Sequence, residues 1–321
     1  MMALRHGSPG LPDARTESLR CLAMSIAVES LSKRFGSVQA VEDLSFTTTP
    51  GRVTGFLGPN GAGKTTTLRI LLGLVSPTSG QALVEGRRYA DLPDPQRTVG
   101  AALEASSFHP GRSARDHLRV LTTAGGLPPA RVDETLALVG LAEAADRRVG
   151  GFSMGMRQRL ALAAALLGDP HVLVLDEPAN GLDPEGIAWL RSFLRHLAAE
   201  GRTVLVSSHV LSEVQQTVDD VVILARGRLV RQAPLAELED PSRRTVLVRT
   251  PSPDALQSAL SAAGLPAAAP QDGGGWGVVG TTPAAVGAAA FAGGVELHEL
   301  AASPSDLERT FLDLTTAGDG R

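Results

Sequence analysis

Eight consecutive residues, Gly58-Pro59-Asn60-Gly61-Ala62-Gly63-Lys64-Thr65, constrain the fold of this chain more than any other segment. They match the phosphate-binding loop pattern G-x-x-x-x-G-K-[ST] at every fixed position. An apolar run over residues 53–57 predicts a strand before the loop, and residues 65–73 predict a helix after it. Glycines allow the backbone amides to curl around an anion, and a helix N-terminus adds about half a positive charge. The segment therefore predicts a strand–loop–helix unit that holds phosphate groups.

The loop also predicts which side chains contact the phosphates. Lys64 is expected to reach the outer phosphates, and the hydroxyl of Thr65 is expected to be a ligand of Mg²⁺. Lys64 is one of only two lysines in a chain with 30 lysines and arginines, so lysine is kept where a compact charge suits phosphate. The nucleotide-binding residues predicted in and just after the loop are Gly58, Pro59, Asn60, Gly61, Ala62, Gly63, Lys64, Thr65 and Thr66.

Composition narrows the class of protein. With 321 residues, 43% hydrophobic and 20% charged, the chain is typical of a globular protein with two domains or with one large domain and appendages. Its net charge of −4 argues against a general nucleic-acid binder. Cys21 is the only cysteine, which excludes an internal disulfide and a cysteine metal cluster and is typical of a reducing cytoplasm.

The chain shows no sequence signal for membrane insertion or secretion. No run of residues approaches the roughly 20 apolar positions that a membrane-spanning helix needs, so a soluble protein is predicted. Residues 1–24 lack the apolar core of a signal peptide. We interpret them as a disordered extension or a misassigned start, with Met24 as the true first residue.

Alternating strand and helix patterns predict an α/β domain over residues 25–236, built around a mainly parallel sheet. Opening strands without intervening helices predict an antiparallel β portion, and residues 112–149 predict a helical subdomain broken at Pro128-Pro129 and Gly140. Residues 237–321 are predicted to form a small C-terminal α/β appendage, with flexible loops in the Gly/Ala/Pro-rich stretch 265–294. Other predicted strands cover residues 26–31, 41–47, 81–84, 171–175, 203–207, 221–224 and 245–249, and other predicted helices cover 154–167, 185–199, 211–217 and 253–263.

Two acids follow the buried strand predicted over residues 171–175. Asp176 is expected to hold Mg²⁺, directly or through water, as a carboxylate at a strand end does beside a phosphate loop. Glu177 is then placed to polarise a water molecule for attack on a γ-phosphate. The pair adds the prediction of nucleotide hydrolysis to that of phosphate binding.

A third segment, Phe152-Ser153-Met154-Gly155-Met156, lies 23 residues before Asp176 and directly before a predicted helix. At this point the chain resembles the nucleotide-binding subunit of ATP-binding cassette transporters, whose signature, usually Leu-Ser-Gly-Gly-Gln, stands here. Ser153 and Gly155 match the signature, whereas Met154 and Met156 depart from it. Ser153 is also a plausible helix N-cap. The resemblance implies that Ser153 and Gly155 face the γ-phosphate of ATP bound to a second subunit.

The resemblance assigns three further residues. Gly181-Leu182-Asp183 is similar to the D-loop that links the two ATP sites of a dimer. His209 is similar to the switch histidine that contacts the γ-phosphate and the attacking water. Phe35 stands where the family has an aromatic residue that stacks on adenine. Glu177 and His209 are thus the expected catalytic residues, and Asp183 and Phe35 are expected at the nucleotide.

The position of Glu104 departs from the family pattern, because the aligned Q-loop usually carries glutamine. Glu104, the methionines of the signature and residues 303–315 are similar to exporter ATPases of the bacitracin and daunorubicin resistance group. The resemblance implies ATP and Mg²⁺ as ligands, a second ATPase subunit in a homodimer, and a separate transmembrane permease. It also implies a location on the cytoplasmic face of the plasma membrane and no nucleic-acid partner.

Two other functions stay open at this point. One is a soluble cassette ATPase that acts on nucleic acid or ribosomes, although such proteins generally carry two cassettes or basic insertions. The other is a regulatory sensor that binds ATP without fast turnover, which a measured ATPase rate would distinguish.

The effect of Glu104 on ATP affinity can be tested by substitution. A carboxylate can ligand Mg²⁺ or a water molecule, but it adds negative charge near the triphosphate. We therefore expect Glu104→Gln to strengthen ATP binding more without Mg²⁺ than with it. Titrations of both proteins with and without Mg²⁺ measure this, and equal affinity ratios would contradict it.

Overall fold

The computed structural model describes residues 25–103, 108–211, 215–238, 245–271 and 274–302. The chain divides into two compact units, Met1–Gln232 and Ala233–Arg321. The division lies close to the domain boundary predicted after residue 236. Glu104, residues 303–315 and the proposed extension 1–24 lie outside the described residues, as do residues 212–214 of the predicted helix 211–217.

The first unit contains two sheets. Its strands are β1 (Ile26–Phe35), β2 (Val38–Thr47), β3 (Val53–Leu57), β4 (Ser79–Val84), β5 (Val99–Ala102), β6 (Val172–Leu175), β7 (Thr203–Ser208), β8 (Asp220–Ala225) and β9 (Arg228–Pro234). The larger sheet has the order β5-β6-β7-β3-β8-β9. Its first five strands in this order pair in parallel with their neighbours. The smaller sheet has the order β2-β1-β4 and is antiparallel. The predicted α/β fold, with a mainly parallel sheet and an antiparallel portion, is confirmed.

Helices connect the parallel strands. They are α1 (Lys64–Leu71), α2 (Pro95–Thr98), α3 (Ala114–Ala124), α4 (Arg131–Leu138), α5 (Met154–Leu166) and α6 (Pro184–Ala199). Polar caps set where the longer ones begin, because Ser113, Ser153 and Asp183 each accept a hydrogen bond from a first-turn amide. The helical subdomain is confirmed as α3 and α4, which break where Pro128-Pro129 and Gly140 were expected to interrupt them.

The core of the first unit joins its two sheets. Phe46 of β2 and Phe56 of β3 pack with ring centroids 5.1 Å apart, and both side chains are buried. Every residue of β3 is buried, as is typical of a central parallel strand covered on both faces. Burying β3 in this way fixes the position at which the phosphate loop leaves the sheet.

The second unit is built from β10 (Thr245–Arg249), β11 (Ala268–Pro270), β12 (Trp276–Val279) and β13 (Glu299–Ala302), with α7 (Leu235–Leu238), α8 (Pro253–Ala262) and α9 (Pro283–Ala292). From β10 onward the element order is β-α-β-β-α-β. The antiparallel sheet has the order β11-β12-β10-β13, which is a ferredoxin-like topology. Val246, Val278 and Val286 belong to its own small core.

Some elements differ from the sequence predictions. The stretch 265–294 is more ordered than expected, since it holds β11, β12 and α9; Thr282 caps α9, which packs on the core of this unit. The strands β5 and β9 were not predicted, because both are short or half exposed. The strand β1 continues to Phe35, four residues beyond its predicted end. No helix of the described residues is long and apolar enough to cross a bilayer.

The contact between the two sheets can be tested by truncating Phe56. Because its ring is fully buried, we expect Phe56→Ala to lower the free energy of unfolding of the first unit by about 3–5 kcal/mol. Urea denaturation followed by Trp189 fluorescence in a Trp276→Phe background measures this, since Trp189 lies in the first unit. Leu74→Ala, at a side chain that is 65% exposed, should change that free energy by no more than about 0.5 kcal/mol.

Candidate functional site

The phosphate loop lies between β3 and α1, as predicted. Its lysine, Lys64, is only 6% exposed and its Nζ donates to the carbonyl oxygen of Gly58 at 2.7 Å. The Nζ atom thus folds back over its own loop. The amide of Ala62 donates to the oxygen of Pro59 at 3.1 Å, which closes the turn.

Two glycines of the loop have no room for a side chain. A Cβ atom on Gly58 would lie 2.4 Å from the carbonyl oxygen of Leu224. Gly63 has a φ of 101° and a Cβ there would lie 2.6 Å from the carbonyl oxygen of Ala40. The loop is therefore held between β2 and the end of β8 by backbone packing.

The first turn of α1 favours an anion. Gly63, at the N-cap, provides no side-chain acceptor, and the first turn carries no acidic residue. The helix dipole and the free amides at this end are therefore not neutralised by a carboxylate of their own turn. Thr66 lies half-buried in the same turn. The geometry suits a phosphate group.

Three neighbouring strands end at this loop. The sheet order places β6, β7 and β3 side by side, with Leu175 opposite Val206 and Ser208 opposite Leu57. Residues that follow these strands therefore converge at one edge, where ligands bind in open parallel sheets. The predicted residues Asp176, Glu177 and His209 all lie there.

Asp176 is bonded on both carboxylate oxygens. The Thr65 hydroxyl donates to Oδ2 at 2.8 Å, and the Ser207 hydroxyl donates to Oδ1 at 2.5 Å. Ser207 also accepts the amide hydrogen of Glu177 at 2.8 Å, so one buried hydroxyl orients both acids. The sequence motifs do not identify Ser207. Its only signal is the pair Ser207-Ser208 at the end of a buried apolar strand.

Glu177 joins the lysine and the histidine. Its Oε1 lies 3.3 Å from Nζ of Lys64, and its Oε2 lies 2.8 Å from Nδ1 of His209. The backbone of Glu177 is left-handed, with a φ of 49°, which is uncommon for a residue other than glycine. Residues held in such conformations cluster at functional sites. The contact between Glu177 and His209 is consistent with the prediction that these two residues act together.

The donors beside the loop suit Mg²⁺. Thr65 and Asp176 offer two hard oxygen ligands within 2.8 Å of each other. Magnesium binds one or two protein oxygens together with phosphate oxygens and water. Among the described residues, no group of three His, Cys, Asp or Glu residues is arranged to hold a metal ion.

The predicted adenine-stacking residue lies at the end of β1. The ring of Phe35 is 49% exposed, and Nζ of Lys33 lies 4.7 Å from its centroid. Lys33 also donates to the oxygen of Ser76 at 2.8 Å, which fixes the cation over one ring face. An exposed ring of this kind can stack on a base.

The remaining predicted residues line a different surface of the first unit. Ser153, Gly155 and Asp183 border a cleft of about 360 Å³ between α5 and α6. The Ser153 hydroxyl accepts from the amide of Met156 at 3.2 Å, and Asp183 Oδ1 accepts from the amide of Gly186 at 2.8 Å. In the part of the chain that is described, no hydrogen bond joins these side chains to the phosphate loop. This cleft therefore offers polar groups to a ligand other than one held wholly by the loop.

Known proteins resemble this chain over its first unit. A family model described as ABC transporter matches residues 41–180, and a domain of unknown function matches residues 244–308. The bacitracin transport ATP-binding protein BcrA of Bacillus licheniformis is 41% identical over 222 residues, which span 68% of this chain and 72% of that protein. The lantibiotic transport ATP-binding protein SrtF of Streptococcus pyogenes is 38% identical over 207 residues, spanning 64% and 89%.

A solved structure of an ATP-binding subunit of an ABC transporter has the same fold. It superposes with a TM-score of 0.60 at 29% identity and covers 66% of this chain and 91% of its own. The second unit contains most of the match to the domain of unknown function. The region shared with the ABC transporter model is the one that contains the phosphate loop and the two acids.

The role of Ser207 can be tested by removing its hydroxyl. Ser207→Ala leaves the partly buried amide of Glu177 without its acceptor, so we expect the free energy of unfolding to fall by about 1–3 kcal/mol. Ser192→Ala, which removes an exposed hydroxyl bonded to its own helix, should have little effect. Urea denaturation of both variants measures the difference, and equal losses would contradict the role given to Ser207.

Proposed function

Because the chain belongs to the ATP-binding cassette transporter family, as an ATP-binding subunit, we propose that it hydrolyses ATP to drive export through a separate membrane permease. The observation that carries the proposal is the convergence of Lys64, Glu177 and His209, with Asp176 beside Thr65, at one sheet edge. Each group matches one requirement of phosphoryl transfer to water.

Binding of ATP begins with an exchange of partners at Lys64. The buried ammonium of Lys64 is paired with Glu177, and a buried charge requires such a partner. Phosphate oxygens held by the amides of the loop supply a new partner for Lys64. Glu177 is then released to bind the attacking water. Phe35, at the exposed end of β1, stacks on the adenine.

Mg²⁺ would be held by Thr65 and Asp176. When bound, the ion neutralises charge on the phosphates and orients them for in-line attack. The residues of this chain set up its donors, because Ser207 fixes the carboxylate of Asp176 toward Thr65.

Hydrolysis uses Glu177 as the general base. Its carboxylate accepts a proton from water while the water oxygen attacks the γ-phosphorus and ADP departs. His209 contacts the same carboxylate and positions it together with the water. The left-handed backbone of Glu177 and its anchor at Ser207 determine where the base points.

The complete ATP site requires two copies of the cassette. Ser153 and Gly155 lie on a cleft apart from the phosphate loop of their own chain, with N-terminal amides of α5 at its edge. We propose that these groups cap the γ-phosphate of ATP held by the loop of a second, identical chain. Binding of ATP then favours the closed dimer, and hydrolysis favours its opening.

The names of the relatives support a proposal for the direction of transport. Two of them are named for the transport of bacitracin and of lantibiotics, which are antibiotics, and we propose that this chain serves an exporter of that group. The permease selects the molecule that is moved and holds the ATPase at the cytoplasmic face of the plasma membrane.

The assignment of the base is tested by Glu177→Gln. Without a carboxylate to accept the proton, we expect kcat for ATP hydrolysis to fall by about 10²- to 10⁴-fold while ATP binding is retained. ATP should then trap the variant as a dimer in size-exclusion chromatography. Glu200→Gln is the matched control, since Glu200 lies on the surface at the end of α6.

Phosphate release by the two variants and the wild type measures turnover. Unchanged hydrolysis by Glu177→Gln would overturn the assignment of the base. Loss of hydrolysis in Glu200→Gln as well would show that the effect does not belong to position 177.

A further inference from the structure

The cleft beside Ser153 is closed on one side by contacts within a single chain. We call residues 153–158 the signature turn and residues 177–183 the catalytic turn. Nε2 of Gln158 donates to the carbonyl oxygen of Asn180 at 3.3 Å. The side chain of Met154 covers Gly181, where an added Cβ atom would lie 2.7 Å from its Cγ. The two turns are thus fastened together at two points, one polar and one apolar.

The polar contact continues to the base. The amide of Asn180 donates to the carbonyl oxygen of Glu177 at 3.1 Å, while its own carbonyl accepts from Gln158. Asn180 therefore carries one bond toward the signature turn and another toward Glu177. A shift of Gln158 moves the catalytic turn through this residue.

Glu177 has little freedom to absorb such a shift. Its backbone is left-handed, its amide is bound to Ser207, and its carboxylate contacts both Lys64 and His209. Because Glu177 is held at these points, movement of the turn that follows it reorients its carboxylate. Small displacements of a general base are costly, because proton transfer requires hydrogen-bond reach.

We propose that Gln158 is a positioning residue for Glu177, through which the link between the two ATP sites that the D-loop resemblance implies reaches the base. The inference rests on the proposed function, in which the signature turn meets ATP held by the partner while Glu177 acts on ATP held by its own chain. ATP that contacts the signature turn at one site then changes the position of Glu177 at the other site. Coupling of this kind makes ATP use cooperative.

The apolar contact gives the departure at position 154 a role. The family signature usually has glycine there, which would leave the space above Gly181 open. Met154 fills that space, and Gly181, with a φ of 75°, provides the surface that receives it. Met154 therefore keeps the signature turn against the catalytic turn while Gln158 supplies the directional bond.

The test compares three glutamine variants of the full chain. Gln158→Met keeps the length of the side chain and removes its donor. Gln158→Lys retains a donor of similar reach. Gln81→Met is the matched control, because Nε2 of Gln81 donates to Glu29 on the antiparallel sheet, away from both turns. ATP hydrolysis is measured against ATP concentration for each protein.

In Gln158→Met we expect the Hill coefficient to fall from above one to one. The half-saturating ATP concentration should rise by roughly 2- to 10-fold, the effect of one lost hydrogen bond. The rate at saturating ATP should fall by about 2- to 10-fold as well, because Glu177 is then held less firmly within hydrogen-bond reach of the attacking water. Gln158→Lys should restore the cooperativity, and Gln81→Met should never lose it. A merely structural defect would lower the rate and leave the Hill coefficient unchanged.

Hydrogen exchange of the nucleotide-free protein provides a readout without turnover. Residues 177–183 should exchange faster in Gln158→Met than in wild type or Gln81→Met. Unchanged exchange together with an unchanged Hill coefficient would overturn the role of Gln158. A wild-type Hill coefficient of one would overturn the coupling and leave the ATPase assignment standing. If the wild type hydrolyses no ATP, the proposed function fails, and exchange alone decides whether Gln158 positions the turn.

Discussion

Parallel pairing of β6, β7 and β3 is the constraint on which the rest of the site depends. Each strand is short and buried along its whole length, so its register is fixed by the core. The fixed register brings the phosphate loop, the two acids and His209 to the same edge. The antiparallel sheet also restricts the loop. The carbonyl oxygen of Ala40 lies so close to Gly63 that a side chain would not fit there. Packing remote from the nucleotide thus determines which polar groups can meet.

The charged groups of the site satisfy one another within the chain. Lys64 is almost fully buried, and Glu177 neutralises it, while Asp176 is satisfied by two hydroxyls. The nucleotide therefore displaces existing contacts instead of filling a site of unpaired charges. Such an exchange costs less than desolvating a free ammonium on binding.

The loop, the acids and the histidine, which the sequence singled out, lie together in the structure, because each belongs to a motif with a fixed place on a strand or helix. It did not predict Ser207, whose bonds depend on the pairing of β6 with β7 and not on spacing along the chain. The contact of Gln158 with Asn180 could likewise not be predicted, since a glutamine on a helix near methionines belongs to no motif. The stretch 265–294 appeared loop-like because glycine, alanine and proline dominate it, but Thr282 and the apolar Val286 are enough to build a helix there.

The left-handed backbone of Glu177 has two opposing effects on stability. Glycine adopts that conformation without strain, so replacing the glutamate by glycine would relax the backbone. The same replacement would leave the buried ammonium of Lys64 without its carboxylate partner, which destabilises the loop. The folded state of the phosphate loop therefore depends on the same carboxylate that is placed to accept the proton.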